Sequence, residues 1–148
     1  MDAFKIENFL RSHPGEQFPQ VNRMSASAIR LLRLKLVTNY GLSPEASDLE
    51  LTRRIAKHAT SLSDADPADD MFNLAELLRK LNIKPEEEVF INWYRYDDVD
   101  RIFLSDLSTY FADIWYPGSD DIEIFDSSCA WILIIPHSGD VRLAILAV

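Results

Sequence analysis

The sequence predicts an α+β fold in which a helical N-terminal half packs on a mostly antiparallel C-terminal sheet. Three observations lead there. Apolar residues recur at three- and four-residue spacing as far as residue 84. From Val89 the period switches toward two. A helical pattern then returns once, over about residues 105–116, as an insertion among the strands. With 148 residues, 47% of them hydrophobic, the chain is long enough to bury a core without staples. One domain is expected, mainly helical over 1–84 and mainly strand over 85–148.

Residues 3–11 carry Phe4, Ile6, Phe9 and Leu10, a short helix that closes before His13-Pro14-Gly15. Residues 15–22 hold Pro19 and no clear period, and read as loop. Ser25 or Ser27 caps the next helix, which runs to about Tyr40 with Gly41 as its stop. Its apolar residues Ile29, Leu31, Leu32, Leu34, Leu36 and Val37 cover more than one face, which predicts a mostly buried helix. Ser43-Pro44-Glu45 is a helix start with proline at the first position, and Leu51, Ile55, Ala59 and Leu62 follow at helical spacing. Asp66-Pro67 opens another helix by the same device, with Met71, Leu74, Ala75, Leu78 and Leu81 as its apolar stripe.

Beyond Glu86-Glu87-Glu88 the strands begin. Val89, Ile91 and Trp93 alternate with Phe90, Asn92 and Tyr94, and Asp97-Asp98 turns the chain into a second strand over 100–104. Ser105 caps a helix with Leu107, Tyr110, Phe111, Ile114 and Trp115 on one face, and Pro117-Gly118 stops it. Residues 121–125 alternate again, with Asp121 and Glu123 expected on the solvent side. Residues 130–135 are apolar on both faces, as in a central strand. A turn around Gly139 leads to a last strand with Val141, Leu143 and Ile145.

The formal net charge of −9 is unevenly spread. Residues 1–84 carry 12 Lys and Arg against 11 Asp and Glu; residues 85–148 carry 3 against 13. Such a C-terminal half repels phosphate backbones and anionic membrane surfaces and attracts basic proteins. No apolar run reaches the length of a membrane span, the first residues lack a signal-peptide pattern, and the single cysteine, Cys129, allows no internal disulfide. A cytoplasmic location is expected. The Arg-rich stretch 24–40 offers one route to nucleic acid, as a regulator, but without a helix-turn-helix spacing its cations are expected to be solvated or to serve the chain's own acids.

Catalytic chemistry finds little support. Eight residues of extended chain would hold Cys129 and His137 about 25 Å apart, too far for a nucleophile and its base. Four glycines leave no phosphate-cradling loop, one cysteine and three scattered histidines make no zinc site, and no cofactor or metal is expected. The enzymatic alternative is a hydrolase using carboxylates assembled from Asp97–Asp100 and Asp120–Asp126. A protein-binding surface fits the residue types better. Aromatic anchors beside polar groups mark interfaces, and Tyr94, Tyr96, Asp97, Asp98, Tyr116, Asp120, Asp121, Glu123 and Asp126 are the candidate partner contacts.

The block from Trp115-Tyr116-Pro117 through Asp126, the Trp131 strand and the turn His137-Ser138-Gly139 resemble C-terminal segments of small acidic bacterial immunity-type proteins of toxin systems. The resemblance covers about a quarter of the chain. It implies a domain that neutralises a partner toxin by occluding it, and it assigns no individual residue a role. The acidic C-terminal half leads to the expectation that such a partner is basic.

Overall fold

The computed structural model describes residues 1–146. Its helices are α1 (Ala3–Ser12), α2 (Ala26–Asn39), α3 (Asp48–His58), α4 (Leu74–Lys80), α5 (Leu104–Thr109) and α6 (Phe111–Ile114). The strands are β1 (Val21–Arg23), β2 (Ala59–Ser61), β3 (Glu88–Asn92), β4 (Val99–Phe103), β5 (Ile122–Phe125), β6 (Trp131–Ile135) and β7 (Arg142–Ile145). They form one sheet in the order β1-β4-β3-β5-β6-β7-β2, with every neighbouring pair antiparallel. The α+β class is as the sequence predicts.

Both faces of the sheet are covered. Val89, Ile91, Ile102, Ile124, Leu133 and Leu143 meet Leu74 and Leu78 of α4, Leu107 of α5, and Phe111 and Ile114 of α6. On the other face Phe90, Val99, Phe125, Ile132 and Ile134 meet Ile29, Leu36 and Val37 of α2 and Leu51 and Ile55 of α3. Strands sandwiched in this way are apolar on both sides, and β5 and β6 are buried at every position.

Local chemistry sets several boundaries. The Ser25 side chain accepts from the Ala28 amide at the start of α2. At its end Gly41, at φ +65°, lets the Gly41 amide reach Thr38 O and the Leu42 amide reach Val37 O, a Schellman stop. Where Ser43-Pro44 predicts a helix start, the chain makes only a turn, because Ser47 and Glu50 form a reciprocal capping box that starts α3 at Asp48. Asp66-Pro67 likewise opens no helix. The Asp66 and Asp69 carboxylates accept from the Ala68 and Met71 amides, and these Asx turns delay α4 until Asn73 caps it.

Five further expectations are corrected. Leu31 and Leu34 of α2 are exposed, Leu31 at 70%, because only the sheet lies under this outer helix and it covers a single face. The helical spacing past His58 breaks into β2, and the loop before Asn22 contains the start of β1; both are three-residue edge strands whose backbone pairing leaves no alternation to read. The inserted helix is two helices parted at Tyr110, whose ring packs in T-shaped contact with Phe9 of α1 and with His13 at its C-terminal cap. Met71 lies in the loop before α4 rather than in its stripe, 86% exposed.

Candidate functional site: a polar cleft at the β3–β4 hairpin

Residues 93–98 join β3 to β4, and the Trp93 amide donates to Asp98 O across the loop. Tyr94 and Tyr96 sit at φ +72° and +52°. Left-handed backbone is unfavourable for a residue with a Cβ and persists only when its surroundings hold it. Here the hold comes from below. The Tyr96 amide donates to Asn92 Oδ1 at 3.0 Å, and its hydroxyl donates to Glu123 Oε2 at 2.6 Å. Asn92 Nδ2 donates to the same oxygen at 2.9 Å. The loop is therefore pinned through a buried side chain while Tyr94, 52% exposed, and Asp97 stand in solvent.

Glu123 is 1% exposed, which overturns its expected solvent position. Its alternation with Ile122 and Ile124 is real, but the side it turns to is covered by α2 and α3. Burial pushes its carboxyl above the usual range, partly opposed by the hydrogen bonds from Tyr96 and Asn92. Burial, with the Glu123 charge behind it, also pushes the Tyr96 phenol up. The buried hydroxyl of Tyr40 has no hydrogen-bond partner among the described residues.

The remaining candidates separate into three groups. Tyr116 and Asp120 are joined to α1: Lys5 Nζ pairs with the Asp120 carboxylate, donates to Ile114 O at 2.7 Å, and lies 3.9 Å from the Tyr116 ring centre and 5.3 Å from that of Trp93. Asp121 Oδ1 accepts from the His137 amide and faces its Nδ1 at 2.8 Å, tying this loop to the β6–β7 turn. Some desolvation pushes the Asp121 carboxyl up, but the His137 contacts outweigh it and hold it below the usual range. Asp126 is buried, accepting from Trp131 Nε1, the Glu86 amide and Ser128. Tyr96, Glu123 and Asp126 thus belong to the interior.

The hairpin itself borders a cleft of about 500 Å³ lined by Met1, Asp2, Arg23, Trp93, Arg95, Asp97 and Asp98. Trp93 Nε1 and the Met1 amino group both donate to Oδ2 of the buried Asp100. Asp100 Oδ1 and Asp98 Oδ1 are buried without a hydrogen-bond partner among the described residues. Arg23 approaches Asp98 Oδ1 only to 3.7 Å, beyond hydrogen-bonding distance. Asp2, Arg23, Trp93 and Arg95 are cleft residues that sequence reasoning did not select. Nothing in their spacing marks them, because the sheet order brings β1 beside the hairpin and the Met1 amino group reaches Asp100 from the far end of the sequence.

Across the sheet, Asp100 and Glu123 do not form a carboxylate pair. Directly opposed residues share a face: Asp100 stands opposite Ile91, and Glu123 opposite Asn92, so the two carboxylates lie on opposite faces of the sheet. Among the described residues no group of three or more His, Cys, Asp or Glu is placed to hold a metal ion. Cys129 and His137 flank the two ends of β6. The cations of the Arg-rich stretch largely serve the chain's own acids and carbonyls: Arg33 bonds Asp48 and Ala46 O, and Lys35 bonds Ser127 O. Among the described residues no helix is long and apolar enough to cross a membrane. No family model, no curated protein and no solved structure matches the chain.

Proposed function

We propose that this is a non-enzymatic protein-binding domain that takes a basic partner at the β3–β4 hairpin, acting in the cytoplasm as an immunity-type protein that occludes a toxin. The observation that carries it is Asp98 Oδ1, an acceptor without a hydrogen-bond donor, on the half-exposed side chain of a residue that lines a cleft walled by Trp93. A buried polar atom without a partner is costly, and a lysine or arginine side chain supplies the donor that Asp98 Oδ1 lacks. The loop backbone that presents Tyr94 is held through Tyr96, so it loses little conformational freedom on binding. The acidic C-terminal half steers a cationic protein toward it.

Affinity capture from the native host at low and moderate salt, with the wild type and with Asp98→Asn and Tyr94→Ala variants as bait, tests this reading. A single basic protein held by the wild type, and bound at least about fivefold more weakly by either variant, is the expected result. Equal capture by all three baits removes the hairpin from the interface. The immunity form has its own test. Expression of the captured protein alone should arrest growth, and coexpression with the wild type but not Asp98→Asn should restore it.

A further inference from the structure

We infer that a second surface, the groove between residues 61–73 and α4, docks a lysine- or arginine-bearing segment of a protein partner that also carries large apolar side chains. The groove encloses about 620 Å³. Its floor is apolar: Leu62, Phe72, Leu77 and Leu81 are half-buried and packed on the core, with the Phe72 ring 4.8 Å from that of Phe111. Its rim is acidic. Asp64, Asp66, Asp69 and Glu76 line it against one cation, Lys80, which is paired with Glu76 at 3.0 Å. Among the described residues no cation pairs with Asp64, Asp66 or Asp69.

Two features favour a cationic, amphipathic occupant over a bare cation or a purely apolar one. Met71 projects from the rim at 86% exposure, a flexible apolar side chain of the kind that adapts to a partner's surface. The carboxylates of Asp66 and Asp69 are each fixed by one oxygen in an Asx turn, so the rim charges are ordered before anything binds. The site also lies at a sheet edge. Ser61 of β2 belongs to its lining, and β2 is the terminal strand, with one side of its backbone facing no further strand. Four strand spacings, about 19 Å, separate β2 from β3, so this groove is distinct from the hairpin cleft and does not depend on it.

The test is an amide-resolved NMR titration with a short peptide of alternating lysine and leucine, beside an all-lysine peptide and one of alternating glutamate and leucine. Saturable shifts confined to residues 61–81, weaker at about 200 mM than at about 50 mM salt, are expected for the first peptide alone. Asp66→Asn with Asp69→Asn keeps both Asx acceptors and should weaken that peptide about five- to tenfold. Met71→Ser should weaken it about threefold without altering the fold. The inference is overturned by no saturable binding, by equal binding of the all-lysine peptide, by shifts centred on the hairpin, or by an unchanged affinity in the Asp66/Asp69 variant. Self-association of the wild type that buries Met71 and excludes the peptide overturns it as well.

Discussion

Replacing Glu123 by glutamine probes the most unusual electrostatic feature of the core. The side chain is buried beneath α2 and α3, and desolvation raises its carboxyl above the unfolded value of 4.5, with Tyr96 and Asn92 pulling it partly back. A carboxyl that is harder to ionise in the folded protein holds its proton where the unfolded chain has already lost it. Between the unfolded value and the raised folded value, stability must therefore fall as pH rises. The loss amounts to about 1.4 kcal/mol for each unit by which the folded carboxyl is raised. Two hydrogen bonds onto Oε2, at 2.6 and 2.9 Å, limit the rise but replace only part of the hydration removed by burial. Glutamine keeps the acceptor oxygen and cannot ionise. Urea denaturation of both proteins, from about pH 4 to pH 8, gives the difference curve. The variant should gain on the wild type as pH rises above about 4.5, and the gain should level off once the folded wild type ionises. The slope carries the test, since the constant offset includes the fit of the new NH2 group. A flat difference, or a wild type that gains on the variant with rising pH, would refute the account of Glu123 as an insufficiently solvated carboxylate.

Two other expectations bear on the packing. Leu36→Ala removes a fully buried side chain of α2 and should cost about 2–5 kcal/mol in chemical denaturation, whereas Leu31→Ala on the same helix should change stability by less than about 0.5 kcal/mol. Similar costs would mean that both faces of α2 are covered. The Cys129 thiol is buried and pushed up to about 11, chiefly by burial, so a disulfide reagent at about pH 8 should label it only as fast as the protein opens, and at once in denaturant. Rapid labelling of the native protein would contradict the packing of Cys129 beneath α2.

Where the sequence was legible, short-range rules decided the structure. Ser25 and Gly41 bracket α2 because cap and stop act within a few residues. Alternation around Ile91 and Ile124, and the unbroken apolar run around Leu133, mark strands whose sides are fixed by direct pairing. The misreadings came from competition and from distance. Ser43-Pro44 and Asp66-Pro67 carry helix-start chemistry, but a stronger cap lies a few residues on in each case. Glu123 could be placed on a strand face but not in the interior, because alternation does not say whether helices cover that face. The candidate aromatics and carboxylates share a residue type common to interfaces. Tyr116 and Asp120 nevertheless meet Lys5 of α1, more than a hundred residues earlier, a contact that no local pattern encodes.

The two edge strands have a consequence for how the chain is made. β1 pairs with β4 and β2 with β7, each across about 80 residues, so the first half lends both borders to a sheet whose middle comes from the second. During synthesis β1 and β2 emerge well before their partners, and β2 waits for β7, the last strand among the described residues. The sheet closes late, through contacts with a large loop-closure cost, and folding is correspondingly slow for a chain of this length. A cut near residue 84 would divide one sheet between two polypeptides. Each fragment alone would keep unpaired strand edges, and the two would have to find each other before either could complete its fold.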